Sequence, residues 1–239
     1  MSYLRSRARK GFESQLDEIS IELSQLYSHA QAQGSGSRLL AAYYVLAFSE
    51  LEVFVSRLVE DSVDTLKAAP TSLEKLPELM LGYLVHCSEN LSKDYRRFLF
   101  DDDEKKIIKR VAETSKGISS WNNSSYKILS NATPSLFLSK KKYPSPKKLP
   151  QLFGRLGVDD IWVLLGKTGK INGKLILTSL NDLRTDIVHD GLVPPGFGLR
   201  DFKERLTLMR NFVAALDRGL SKHFCANTVK RAVWNSAMA

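Results

Sequence analysis

From Arg38 to Lys67 the chain runs for thirty residues without Gly or Pro, dense in Ala, Leu, Val and aromatics. Its centre, Ala41 to Phe54, is apolar on more than one side. A one-sided amphipathic helix lies on a surface, whereas this segment must be covered all round or nearly so, as a central bundle helix or one shared with a second subunit. Glu50 and Glu52 interrupt its apolar surface, and their ordinary destination is solvent.

The flanking segments carry the helical period. Leu16, Ile19, Leu23, Leu26 and Ala30 fall on one face of a helix over 13–33, which Gly34-Ser35-Gly36-Ser37 then breaks. Pro77 suits the first turn of a third helix through Leu91, with His86 and Cys87 as packed side chains. Asp101-Asp102-Asp103-Glu104 reads as an acidic helix start before the basic body from Lys105 to Glu113. From Thr114 to Pro150 the period is lost among Ser, Asn, Gly and Pro, and Leu136-Phe137-Leu138 is too short to classify. A short helix follows over 149–156, then the apolar segment Ile161 to Leu165. Beyond it come a helix over 173–190 and a long helix over 199–220, whose seam is Phe202, Leu206, Met209 and Val213.

No repeat and little strand signal accompany this pattern. The expectation is an all-α bundle of about five to seven helices with an irregular insertion around 114–150. The 239 residues, 43% hydrophobic, suffice for one domain with a sizeable core. Its parts are an N-terminal helix and linker (1–37), core helices (38–113), the basic insertion (114–150), and the last two helices (151–225).

Thirty-five basic residues against 26 acidic ones give a net charge of +9, which favours a polyanionic partner. The two cysteines, Cys87 and Cys225, form no C-x-x-C pair and no metal-ligand spacing with histidines, so neither a disulfide framework nor a zinc site is expected. No apolar run follows Arg5, Arg7, Arg9 and Lys10 to act as a signal-peptide core, and no window reads as a membrane span. A cytoplasmic location without membrane association is expected. Gly166-Lys167-Thr168-Gly169-Lys170 lacks the spacing of a nucleotide loop.

Chemistry concentrates at Asn181 to Gly191. Ile176, Leu180, Leu183 and Ile187 form a buried stripe, Asp190-Gly191 ends the helix, and Arg184 and His189 lie five positions apart near that end. Histidine exchanges a proton near neutral pH, and arginine offers a fixed positive fork to a phosphate gaining charge. Together they suit cleavage of RNA by its own 2′-hydroxyl, giving a 2′,3′-cyclic phosphate and a 5′-hydroxyl without metal or cofactor. On an ideal helix the two side chains are about 140° and 7.5 Å apart, whereas Thr185 and His189 share a face. Either the helix ends early and His189 swings round, or the site is assembled across a dimer, with two arginines and two histidines around one cleft. The second route is favoured. Arg218 and His223 repeat the spacing, at what reads as the fraying end of the last helix, and are taken as incidental. Lys140, Lys141, Lys142, Lys147 and Lys148, with Tyr143, form a Pro-stiffened basic loop suited to guiding an RNA backbone and stacking a base.

The segment Leu180-x-x-Leu183-Arg184-Thr185-Asp186-Ile187-Val188-His189-Asp190-Gly191 resembles the signature of the HEPN superfamily, helical ribonucleases of prokaryotic toxin-antitoxin and anti-phage systems. Leu51-Glu52-x-Phe54-Val55 is similar to the first core helix of RiboL-PSP-related families, and Leu152-Phe153-x-x-Leu156-Gly157 with Trp162 to the segment before the motif. The resemblance implies a homodimer with a composite, cofactor-free endoribonuclease site. It makes Arg184 and His189 catalytic, Thr185 their polar neighbour, Glu52 a cleft residue and an antitoxin or sensor protein a partner. Thr185 departs from the Asn usual there. The competing reading is a non-catalytic helical module that binds RNA or protein. A DNA-binding regulator is a third, without a helix-turn-helix pattern behind it.

Overall fold

The computed structural model describes residues 2–69, 75–87, 108, 132–139 and 144–239, and all described elements are helices. In chain order they are α1 (Arg7–Ala32), α2 (Gly36–Ala68), α3 (Glu78–His86), α4 (Pro134–Leu138), α5 (Lys148–Arg155), α6 (Ile161–Gly169), α7 (Gly173–Asp190), α8 (Leu199–Asn227) and α9 (Arg231–Met238). The chain is all-α, as its periodicity requires. The Asp101–Glu104 acidic start, the helix over 105–113 and the basic run Lys140, Lys141, Lys142 and Tyr143 lie outside the described residues.

The core is organised on α2, which packs against α1, α4, α7, α8 and α9. Tyr44, Phe48, Leu51, Phe54, Val55, Leu58 and Val59 on it are all buried, each large side chain contributing roughly 1.5–3 kcal/mol. This surround corrects one sequence expectation. An 18-residue window of α2 has a mean hydropathy of 1.5, so this helix is long and apolar enough to cross a membrane by length and composition. Its apolar content is that of a helix packed against five others, with Leu46 and Val53 left at the surface.

Other corrections concern helix ends. Ser6 caps α1, its Oγ accepting from the Arg9 N–H at 3.1 Å, so the helix starts six residues before the predicted Glu13. Its stripe is Ala8, Phe12, Leu16, Ile19 and Leu23; the predicted Leu26 is exposed. The Phe12 and Phe54 rings meet with centroids 5.7 Å apart where α1 crosses α2. In α8 all four predicted seam residues are buried, but the helix continues to Asn227. His223 therefore sits in its body, half-buried, edge-on to Phe224 at 5.1 Å, rather than at a frayed end. Burial pushes its imidazole below the usual range, against a backbone bond to Leu156 and the charge of Asp159. The sequence also hid α9, whose Trp234 stacks on Phe224 at 5.2 Å.

The two ends of the described chain are bound to each other. Asn235 donates to the Ser2 carbonyl at 2.9 Å and Arg7 to that of Ala237 at 3.0 Å. Tyr3 donates its hydroxyl to Asp217, a buried carboxylate on α8 that also accepts from the Ser6 N–H at 3.2 Å. Desolvation raises the Asp217 carboxyl above its ordinary range, opposed by these bonds.

Candidate active site

Helix α7 carries the Arg-His motif, and three contacts set its position. Asn172 caps its start, the side-chain oxygen accepting from the Leu175 N–H at 3.1 Å. Tyr44 of α2 donates its hydroxyl to the Leu180 carbonyl at 2.8 Å in the core. Arg205 of α8 donates to Ser179 Oγ at 2.6 Å on the other flank. Of the predicted stripe, Leu180, Leu183 and Ile187 are buried; Leu177 takes the inner place at the start of the helix and Ile176 is half-buried.

At its far end α7 remains helical through Asp190. Gly191 closes it with φ 69°, its N–H bonded to the Ile187 carbonyl at 2.8 Å. This left-handed conformation is cheap only for glycine. His189 is thus held in the last helical turn, and the early helix end that would let it swing toward Arg184 is absent. On an ideal helix His189 projects about 180° from the midline of the stripe Leu177, Leu180, Leu183 and Ile187, whereas Arg184 lies about 45° from it. The exposures agree, since His189 is exposed and Arg184 half-buried. Thr185 stands near His189 in angle, but its hydroxyl donates to the Asn181 carbonyl at 2.9 Å, within its own helix.

The charge of Arg184 acts on a carboxylate of α2. Burial pushes the half-buried Glu52 carboxyl above the usual carboxylate range, and the charges of Arg184 and Lys148 pull it back. One carboxylate on α2 therefore lies within electrostatic reach of two cations, one on α7 and one at the start of α5. Glu52 also lines an open concavity on α2 with Ser49, Val53, Ser56, Arg57 and Glu60. On α7, His189 and Thr185 lie on a different face from Arg184.

Of the basic loop, Lys147 and Lys148 are described. Lys147 is exposed and Lys148 half-buried, its N–H bonded to Ser145 Oγ at 3.1 Å. Downstream, Arg155 is only 4% exposed and donates through Nη1 to the carbonyls of Phe137 and Ser139 at 2.7 and 2.8 Å. Its guanidinium lies 4.9 Å from the ring centroid of Tyr83, whose hydroxyl donates to the Leu136 carbonyl at 2.7 Å. These two side chains take up the carbonyls that end the five-residue α4, which its own short length leaves open. Sequence reasoning missed Arg155 and Tyr44 as positioning groups. The signal for the first was a lone arginine between Phe153 and Leu156 on an apolar face; Tyr44 gave none beyond its place in the apolar run.

Some large apolar side chains reach the surface: Leu46 and Val53 on α2, seven residues apart and so on one stripe, Val188 in the last turn of α7 and Leu192 just beyond it. Among the described residues no group of His, Cys, Asp or Glu is arranged to hold a metal ion.

Comparison with known proteins adds one finding. A family model described as RiboL-PSP-HEPN matches residues 12–222. No curated protein and no solved structure matches the chain.

Proposed function

Because the chain belongs to the RiboL-PSP HEPN family, whose domains suggest nuclease or RNA-related work, we propose that it is a metal-independent endoribonuclease whose site is completed by a second copy. Arg184 of one protomer stabilises the extra negative charge on the five-coordinate phosphorus, and the His189 imidazole of the other moves the proton of the 2′-hydroxyl or of the leaving 5′-oxygen. The products are a 2′,3′-cyclic phosphate and a 5′-hydroxyl end. Thr185 is the polar neighbour of His189, and the basic loop with Lys147 and Lys148 guides the RNA. The setting we propose is cytoplasmic, as a toxin or anti-phage effector restrained by an antitoxin or sensor protein.

The observation that carries this reading is the unbroken run of α7 through Asp190, which keeps Arg184 and His189 on different faces of one chain. We place the two-fold contact on the exposed apolar stripe of Leu46 and Val53, which would bring a second His189 to the site. The test is cleavage of single-stranded RNA in EDTA, with product ends mapped. Arg184→Ala and His189→Ala proteins should each be inactive alone and recover part of the activity when mixed and allowed to exchange subunits. Cleavage that requires a divalent ion, or an active His189→Ala protein, would rule the mechanism out.

A further inference from the structure

Away from the Arg-His motif, the seam between α6 and α8 brings the two backbones close together. A Cβ on Gly169 would fall 2.4 Å from Cβ of Ala215, and one on Gly219 would fall 3.1 Å from Cγ of Leu164. The Thr168 hydroxyl donates to the Ala215 carbonyl at 3.3 Å. Leu164 and Thr168 thus meet Gly219 and Ala215, an antiparallel pairing. Lys167 stands three residues after Leu164 and one before Thr168, and Arg218 stands three after Ala215 and one before Gly219. A two-fold axis normal to their plane relates antiparallel helices, so equal offsets on the two rise on the same side of the seam. Lys222, three residues after Gly219, joins them, and the three span about 9 Å along α8.

Lys167, Arg218 and Lys222 are exposed, as is Lys170 at the end of α6. Lys170 has φ 53° and is the one non-glycine residue with a left-handed backbone among those described. Gly or Asn is the ordinary choice for that conformation at a helix end. None of the four cations forms an ion pair among the described residues. The neighbouring outward positions, Val163 on α6 and Asn211 and Ala214 on α8, carry no carboxylate. Asp159 and Asp160 bound the row at one end, where Asp160 accepts from the Trp162 and Val163 N–H groups at 2.8 and 3.2 Å. The row is therefore of one sign and sits on a rigid seam.

Its distance from the motif follows from the same packing. Helix α7 continues along α8, with Ser179 bonded to Arg205. Arg184, five residues on, is level with the start of α8, about 27 Å from Arg218. We infer that Lys167, Lys170, Arg218 and Lys222 form a second RNA-contacting surface, which holds the phosphate backbone of the substrate strand at a distance from the Arg-His site. A one-signed row suits a polymer with one negative charge per nucleotide better than a protein surface, which carries both signs, and its phosphate contacts read no sequence. This rests on the proposed ribonuclease reading and adds a preference for strands long enough to reach both places. A stacked strand rises about 3.4 Å per nucleotide and covers that interval in about eight.

Binding of a labelled single strand of about thirty nucleotides is measured across a salt series in the full-length His189→Ala protein. Lys167→Gln, Arg218→Gln and Lys222→Gln are added together, and Lys167→Gln is compared with Lys67→Gln, which removes an exposed lysine from the end of α2. Cleavage of the same strand and of a tetranucleotide is followed in chains that keep His189. The triple variant should bind at least about tenfold more weakly and lower the slope of log K against log salt by about 2, from about 0.7 per phosphate contact on a single strand. Its KM for the long strand should rise about tenfold more than for the tetranucleotide. The charge-preserving Lys167→Arg, Arg218→Lys protein should behave as the wild type, which separates charge from fold. Unchanged affinity and slope in the triple variant, or equal effects of Lys167→Gln and Lys67→Gln, overturn the inference and leave the ribonuclease reading standing. Polyglutamate bound more tightly than RNA of equal charge overturns it in favour of an acidic protein partner. Binding that depends on the four cations, in a wild type that cuts no RNA, upholds the surface and overturns the ribonuclease reading. Absence of RNA binding in the wild type overturns both.

Discussion

The hydroxyl of Tyr44 donates to the Leu180 carbonyl at 2.8 Å, bonding the central helix α2 to α7 one turn before Arg184. It is a side-chain tie across 136 residues of sequence, and it fixes how far α7 slides along α2. Tyr44→Phe keeps the ring in the core and removes this bond. Stability should fall by about 1 kcal/mol, read from urea melts, and RNA cleavage should fall more in kcat than in KM as Arg184 loses its register.

Gly191 gives a second handle on the same helix. Its φ of 69° closes α7 two residues after His189, and a Cβ added there meets nothing within 4 Å. Gly191→Ala therefore tests backbone conformation without a clash. The expected loss is about 1–2 kcal/mol, with faster amide hydrogen exchange confined to the last turn of α7.

Gly157, between α5 and α6, is constrained differently. It has φ 87°, and a Cβ would fall 2.1 Å from Cβ of Pro77. Both the backbone and the packing exclude a side chain, so Gly157→Ala should cost more than Gly191→Ala, about 3 kcal/mol. Chemical denaturation of the two variants side by side tests the order.

Acid stability should depend on His223. Burial lowers its folded pKa, while in the unfolded chain it titrates near its ordinary value of about 6.5. Below that pH the unfolded chain binds a proton that the folded chain resists. The stability present at neutral pH is therefore lost as pH falls through about 6.5 toward the folded value. Asp217, whose folded pKa is raised, acts in the opposite sense in the more acidic range, favouring the folded state where it is protonated. His223→Gln should flatten the fall in Tm between pH 7.5 and about 5.5. An unchanged slope in the variant would rule His223 out as its source.

Removing both exposed apolar side chains of the α2 stripe, in a Leu46→Ser, Val53→Ser protein, should leave the monomer folded and abolish cleavage. Light scattering and circular dichroism on the same sample separate loss of the dimer from loss of the fold.

The helices were largely legible because burial imposes a period. The seam of α8 and the stripe of α7 are visible in Phe202, Leu206, Met209 and Val213 and in Leu180, Leu183 and Ile187 before any coordinates. What the period does not carry is side-chain bonding over long separations. Nothing local in the sequence marks Tyr44 as a partner of Leu180, or Arg155 as the holder of Phe137 and Ser139. The short α4 was hidden because five residues are too few to display a period. At the candidate site, spacing alone gave the separation of Arg184 and His189 on α7, since it is a property of any continuous helix. That the charges of Arg184 and Lys148 act on Glu52 depends on how α2, α5 and α7 pack, which no local pattern carries.

The continuity of α7 through His189 also bears on dosage. If cleavage needs one helix from each of two chains, a cell making few copies holds almost only inert halves, and active sites accumulate with the square of chain concentration while dimers are scarce. Such a ribonuclease stays silent at leaky expression and rises steeply once synthesis outpaces dilution. A restraining partner would then need only to keep chains apart, without ever covering the catalytic groups.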